Sequence, residues 1–314
     1  MAKNSASFTA LNKASRAKLA RETINQTIPK LLSSDAKARL GVQSSELIIN
    51  PPAIALARNQ DPPCAGPRIR ISNTDTLTAA ALLQRSKDDP PLSKRSNPRT
   101  CILNMASALR PGGGVLNGAN SQEEFLCLRT TLYPSLREDY YRLPEVGVVY
   151  TPDVLVFRDA NCTNLPKSER YFVDVISAAM IRAPDTTEDG TYSDPRDVEA
   201  VIQKMRAVMR VIVAKGARRV VLGAWGCGAF SNPVGEVARL WKKTICGVSD
   251  SGKAGKMECW TGVEQIVFAI TDKKMVEGFE KCFDGLLTEG EETIAGPSED
   301  GRINDEELPN EGSS

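Results

Sequence analysis

Side chains able to move a proton are the first thing to look for in this chain, and one class is missing. The chain contains no histidine. That removes Ser-His-Asp and Cys-His catalysis and every histidine-based metal site, leaving carboxylates, lysine, tyrosine or cysteine for acid–base work. Among these the triplet Gln122-Glu123-Glu124 stands out through what precedes it, a loop carrying Gly112, Gly113, Gly114 and Gly118. Glycine allows positive φ and close approach of backbone to a ligand. Loop amides followed by a helix N-terminus make an anion site suited to a diphosphate. No Gly-Lys-Ser/Thr follows, so the loop is not a P-loop, and it lacks the Gly-x-Gly-x-x-Gly spacing. A plainer role is open too: Ser121-x-x-Glu124 reads as a capping box. The two are compatible, because a Glu in the first helical turn lies beside whatever the loop holds.

A second Gly-rich turn, Ala224–Pro233, contains Gly226, Cys227, Gly228, Ala229 and Phe230 and follows a strand. Asn232 is a candidate N-cap there, with Pro233 at the first helical position. Two such turns at strand C-terminal ends could grip opposite sides of one diphosphate, where open α/β sheets bind ligands. The alternative is that Trp225 and Phe230 are core aromatics and the glycines only relieve crowding. Asp75, after a strand end, either caps the next helix or accepts a hydrogen bond from an adenine amino group. Tyr133, Tyr140, Tyr141 and Tyr150 could line a pocket, but their type carries little weight. None of the eight cysteines forms a Cys-x-x-Cys pair, so neither a metal site nor a redox dithiol is expected. Free cysteines in apolar runs point to a reducing compartment, cytoplasmic or nuclear.

The elements that must position these groups follow from periodicity. Strands are expected at Arg68–Ser72, Cys101–Asn104, Val148–Tyr150, Val154–Phe157, Phe172–Ile176, Val220–Gly223 and Ile266–Ile270. Helices are expected at 14–33, with a kink or break at Pro29, and at 76–84, 121–137, 196–215, 234–246 and 273–287. Strands alternating with helices make an α/β fold with a largely parallel or mixed sheet. Residues 86–99 read as a polar, Pro-rich mobile loop, and 183–195 and 247–259 as loops. The expected organisation is a flexible N-terminus over 1–14, one domain over 15–287, and an acidic disordered tail over 288–314. With 314 residues, 41% apolar, 25% charged and a net charge of +1, no global field draws the chain toward nucleic acid or membrane. There is no apolar run of transmembrane length and no secretory h-region; the basic, Ser- and Ala-rich N-terminus leaves a mitochondrial transit peptide open.

Several stretches together resemble one family. Asn104-Met-Ala-Ser-Ala…Pro-Gly-Gly-Gly…Gln-Glu-Glu-Phe-Leu-Cys127 is similar to the signature of microbial-type poly(ADP-ribose) glycohydrolases: three glycines, six to eight residues, then Gln-Glu-Glu. Asn73–Leu77, Tyr150–Asp159 and Leu222–Pro233 resemble that family as well, and the similarity covers most of residues 15–285. The family often continues after this cysteine with an arginine, where this chain has Leu128, and the 86–99 loop is long. The resemblance implies a macrodomain-like three-layer α/β/α sandwich with a mixed central sheet, which binds ADP-ribose. It implies Glu124 as general acid/base and Glu123 as the group that holds ribose hydroxyls and places the scissile bond. Gln122 would help hold the acid loop. Gly112, Gly113, Gly114 and Val115, with Gly226, Cys227, Gly228 and Ala229, would wrap the diphosphate. Phe230 would orient the distal ribose, Asp75 would read adenine, and Asn104 would sit beside the ribose. The implied partners are poly(ADP-ribose) or ADP-ribosylated macromolecules, with ADP-ribose as product, no cofactor and no membrane, acting as a monomer in reversal of ADP-ribosylation and the DNA damage response. A hydrolase of mono-ADP-ribosylated protein or DNA, and a non-catalytic ADP-ribose reader, are the rivals.

Overall fold

The computed structural model describes residues 12–54, 66–85, 99–247 and 258–288. The acidic tail, nearly all of the 86–99 loop and most of the 1–14 and 247–259 segments lie outside the described residues. Seven strands, β1 (Glu46–Ile49), β2 (Arg68–Ser72), β3 (Thr100–Met105), β4 (Gly147–Val156), β5 (Tyr171–Ala178), β6 (Arg219–Leu222) and β7 (Gln265–Ala269), form one sheet. Their order is β1-β4-β5-β3-β6-β7-β2. The five strands from β5 to β2 run parallel, while β4 and β1 are antiparallel to their neighbours. Runs such as Gln265–Ala269, buried at every position, are what a parallel strand covered on both faces requires.

The covering layers are α1 (Lys13–Glu22), α2 (Ile28–Ser34), α3 (Ala36–Gln43), α4 (Thr76–Arg85), α5 (Gln122–Arg129), α6 (Pro195–Ala214), α7 (Val234–Cys246) and α8 (Lys273–Phe283). Strand alternation splits the core in two. Cys101, Leu103, Val220, Leu222, Ile266 and Phe268 face α6, α7 and α8. Ile102, Val221 and Val267 face α4, α5 and the N-terminal helix. The result is the expected three-layer α/β/α sandwich with a mixed sheet. An aromatic chain locks one outer layer: Trp225 lies 6.1 Å from Trp241, Trp241 lies 6.2 Å from Phe268, and Phe268 lies 5.3 Å from Phe279.

Several expectations are corrected. The helix predicted over 121–137 ends at Arg129, because the β-branched Thr130 and Thr131 turn to pair with the end of β4. Thr130 bridges Val156, and Thr131 N donates to Leu155 O at 3.0 Å. The two strands predicted at 148–150 and 154–157 are one strand, β4, with a register shift between Thr151 and Val154 where Asp153 takes φ 50°. The interruption expected near Pro29 takes the form of a π-turn at Thr23–Thr27, after which α2 begins at Ile28 with Pro29 in its first turn. Helix α8 ends at Phe283, and Leu287 bridges Ile69. Short α3 and β1 were not expected. Among the described residues six cysteines form no disulfide, but Cys259 is disulfide-bonded, so the expectation of free thiols does not extend to it. No helix among the described residues is long and apolar enough to cross a membrane.

Candidate active site

A cleft of about 530 Å³ opens at the C-terminal edge of the parallel strands. Its walls are the segments that leave β2 (Thr74–Thr76), β3 (Met105 and Ala106), β6 (Ala224–Gly226 and Gly228–Phe230) and β7 (Ala269–Asp272), with the start of α5 (Asn120–Gln122, Phe125) and Met275. Four chain segments far apart in sequence converge because their strands are parallel and neighbouring. Of the expected site residues, Asp75, Gln122, Gly226, Gly228, Ala229 and Phe230 line this cleft. Glu123, Glu124, Gly112, Gly113, Gly114, Val115, Asn104 and Cys227 are not among the residues that line it.

The capping box at the start of α5 is real. Glu124 accepts from Ser121 N at 3.0 Å and from the Ser121 hydroxyl, and its other oxygen accepts from Gly114 N at 2.8 Å. Glu123 accepts from Ser107 N at 2.8 Å and from Asn104 Nδ2 at 3.4 Å. The two carboxyls are 2% and 4% exposed, so water screens neither. Burial first, and the neighbouring Glu124 charge after the Ser107 bond, set the Glu123 pKa, which is pushed up to about 8. Asn104 is fully buried beneath Glu123, with Nδ2 also donating to Ser177 Oγ at 2.9 Å and Oδ1 unpartnered.

Gln122 ties the acid helix to the sheet. Its amide donates to Leu103 O at 2.8 Å and Thr76 Oγ1 at 3.1 Å, and its carbonyl accepts from Met105 N at 2.9 Å. Asp75 caps α4 through Leu77 N at 3.0 Å and Thr78 N at 3.2 Å, and pairs with Arg129 at 2.6 Å. Burial works against its charge, but the Arg129 guanidinium and the Thr78 bonds outweigh it and hold its pKa below the ordinary value. Arg129 also stacks 4.6 Å over the Phe125 ring. Sequence reasoning missed Arg129, Phe125 and Asp272; a charged residue ending an otherwise apolar buried turn was the available signal for Arg129. None of the four tyrosines lines the cleft. Tyr150 donates to Asp174 at 2.8 Å, Tyr140 to Ser45 O at 2.8 Å, and Tyr133 packs on Gly112.

The two Gly-rich turns differ in where their N–H groups go. In the first, Gly113 N donates to Arg110 O at 3.3 Å, Gly114 N to Glu124, and Val115 N to Gly112 O at 3.1 Å. A Cβ on Gly113 would sit 2.6 Å from Glu124 Oε1 and 2.9 Å from Glu123 Oε2, so this turn is wrapped on the carboxylates. In the second, the N–H groups of Gly228, Ala229 and Phe230 donate to no group among the described residues. Asn232 braces it from behind: Nδ2 donates to Ile181 O at 2.8 Å and to Gly226 O and Phe230 O at 3.2 Å, and Oδ1 accepts from Tyr192 at 2.9 Å. Asn232 is therefore not the N-cap of α7; Pro233 holds that position. Cys227 points inward, its thiol pushed up to about 12 by burial.

Residues 42–159 match the family model described as microbial-type PARG, catalytic domain. That span holds Asp75, Asn104, the first Gly-rich turn and the Gln-Glu-Glu triplet. Among solved structures, the chain is similar to poly(ADP-ribose) glycohydrolase from Thermomonospora curvata. The identity is 26%, over 86% of this chain and all of the other, with a TM-score of 0.66. It is also similar to the Deinococcus radiodurans enzyme in complex with ADP-ribose, at 26% identity over 79% of this chain and 98% of the other, TM-score 0.61. The Thermomonospora curvata enzyme bound to the inhibitor ADP-HPD, at 24% identity, shares the fold with a TM-score of 0.64. Sequence comparison with curated proteins found no match. In motif and architecture, the chain resembles the catalytic domain of the microbial-type poly(ADP-ribose) glycohydrolases, and the likeness is to a glycoside hydrolase.

Proposed function

We propose that this protein hydrolyses the ribose–ribose O-glycosidic bonds of poly(ADP-ribose), releasing ADP-ribose. The observation that carries this reading is the cleft's second turn, in which three backbone N–H groups donate to no group among the described residues, in a cleft also lined by the start of the helix that carries the buried carboxyls. Such a row of amides suits a diphosphate. With the diphosphate there, Phe230 would face the distal ribose and Asp75 the adenine, each from the cleft wall. Gly112, Gly113, Gly114 and Val115 would act by holding the acids, and Gly226, Cys227, Gly228 and Ala229 by presenting backbone to the phosphates. All of these groups come from one chain, which supports action as a monomer.

The carboxyl pair supplies the chemistry. Glu123 and Glu124 are coupled, and the raised pKa of Glu123 means that the pair retains a proton near neutral pH. Glu124, hydrogen-bonded to Ser121 of the cleft wall, would protonate the departing ribose oxygen and then take a proton from the attacking water. Glu123 would fix the ribose hydroxyls. For Glu124 to act it must leave the Ser121 hydroxyl, so substrate has to compete with the cap. Adjacent carboxyls cannot stand on opposite faces of the sugar, so the symmetric two-acid scheme does not apply. Rate would come from orientation on the amide row as well as from proton transfer.

One observation favours a second reading. Both Glu124 oxygens already have structural partners, as they would in a protein that only binds ADP-ribose. Incubation with purified poly(ADP-ribose), followed by chromatography, separates the two. Wild type is expected to release ADP-ribose, and Glu124→Gln to lose at least about a thousandfold in rate while retaining ADP-ribose affinity. Binding without product from wild type would favour the reader. Release from mono-modified protein or DNA alone would favour a different linkage.

A further inference from the structure

Arg182 lies just past the C-terminal end of β5, exposed, with its guanidinium carbon 6.0 Å from the centroid of the Phe230 ring that walls the cleft. Its backbone is held on both sides. Asn232 Nδ2 donates to the preceding Ile181 O at 2.8 Å, and the following Ala183 N donates to Phe230 O at 2.8 Å. Met180 packs on Gly226, whose Cβ would meet it at 2.7 Å. The segment is thus stapled along the amide-bearing turn, and the Arg182 side chain is presented at one rim of the cleft. Among the described residues no carboxylate pairs with it.

A cleft of about 530 Å³ suits one drug-sized ligand. A polymer with a diphosphate in every unit must leave over the rim. On the reading above, the distal ribose sits against Phe230, so the chain beyond the scissile bond passes Arg182. We propose that Arg182 forms a subsite outside the cleft that binds the diphosphate of the unit on the leaving-group side. It would thereby make the enzyme prefer polymer over substrates with a small leaving group. Arg suits this task because its planar fork meets phosphate oxygens in pairs and its face rests on an aromatic ring. This inference rests on the proposed function for the direction of the chain.

The test compares Arg182→Ala and Arg182→Glu with wild type on two substrates: poly(ADP-ribose), and ADP-ribose carrying a p-nitrophenyl leaving group. Arg196→Glu, the same charge change at an exposed arginine away from the cleft, is the control. On polymer, kcat/KM is expected to fall about two- to fivefold for Arg182→Ala and further for Arg182→Glu, with the loss shrinking as salt is raised. The small substrate and the affinity for free ADP-ribose are expected to be unchanged. Equal losses on both substrates, no loss on polymer, or the same loss in Arg196→Glu would overturn the subsite. If wild type fails to cleave polymer, the proposed function fails. The subsite is then read from binding: an ADP-ribose dimer that binds wild type no better than it binds Arg182→Glu would sink it separately.

Discussion

The two Gly-rich turns look alike in sequence and have been folded to opposite ends. The first bonds its N–H groups within the protein, Gly114 N to Glu124 and those of Gly113 and Val115 to carbonyls of the turn itself, and is buttressed by α1, where Arg16 donates to Gly118 O at 2.9 Å. In the second, the N–H groups of Gly228, Ala229 and Phe230 donate to no group among the described residues, and nothing beyond its chain neighbours lies within 4 Å of a Cβ built on Gly228. Glycine serves a different purpose in each. At Gly113 it lets backbone approach carboxylate oxygens at positive φ, whereas at Gly228 it keeps space open in front of an amide. A glycine motif thus locates a close approach without saying what approaches.

Substitutions can break that contrast. The largest effect is expected from Gly113→Ala. Strain at φ 57° alone costs about 1–3 kcal/mol. Displacing Glu123 and Glu124 should lower turnover by at least about a hundredfold, read by steady-state kinetics beside thermal melts. Next is Asn232→Ala, which strips partners from Ile181 O, Phe230 O and the Tyr192 hydroxyl in a buried site. A loss of about 2–3 kcal/mol is expected in denaturant unfolding, with weaker ADP-ribose binding because the amide row loosens. Gly228→Ala should leave stability within about 0.5 kcal/mol of wild type and weaken ADP-ribose about tenfold by calorimetry. If Gly228→Ala unfolds the protein, or Gly113→Ala is silent, the contrast is wrong.

The pH dependence of stability sharpens the same point for the acid side. Glu123 has a folded pKa near 8, above the ordinary value of 4.5. Its protonated form is the one the fold prefers. That contribution is complete below about pH 4.5 and is lost as pH rises through 8, at up to about 1.4 kcal/mol per pH unit. Glu123→Gln removes this slope, so its unfolding free energy relative to wild type should rise between pH 5 and pH 9. A flat difference across that range would mean that Glu123 is ionised in the folded protein throughout.

Much of the fold was legible because its cues are local. Buried parallel strands announce themselves as apolar runs, and α6 through Asp194, Pro195 and a 3.6-residue apolar repeat. The capping box at Ser121 and Glu124 was readable for the same reason. Errors arose where a distant partner overrode local preference. Thr130 and Thr131 left the helix to join β4, and the two halves of that strand merged across a bulge. Asn232 is a good N-cap by type, yet its side chain is spent on three carbonyls from two loops.

By itself the sequence determined the chemical vocabulary: no imidazole, adjacent carboxyls at a helix start, and glycines where backbone must come close. These depend on residue type and on spacings of three or four, which the chain carries without folding. Only the tertiary structure decided which carboxyl is raised, which turn faces the cleft, that Arg129 neutralises Asp75 from 54 residues away, and that Arg182 lies beside Phe230. Desolvation and Coulomb attraction act through space, and the distances that set them exist only once the strands have been placed side by side.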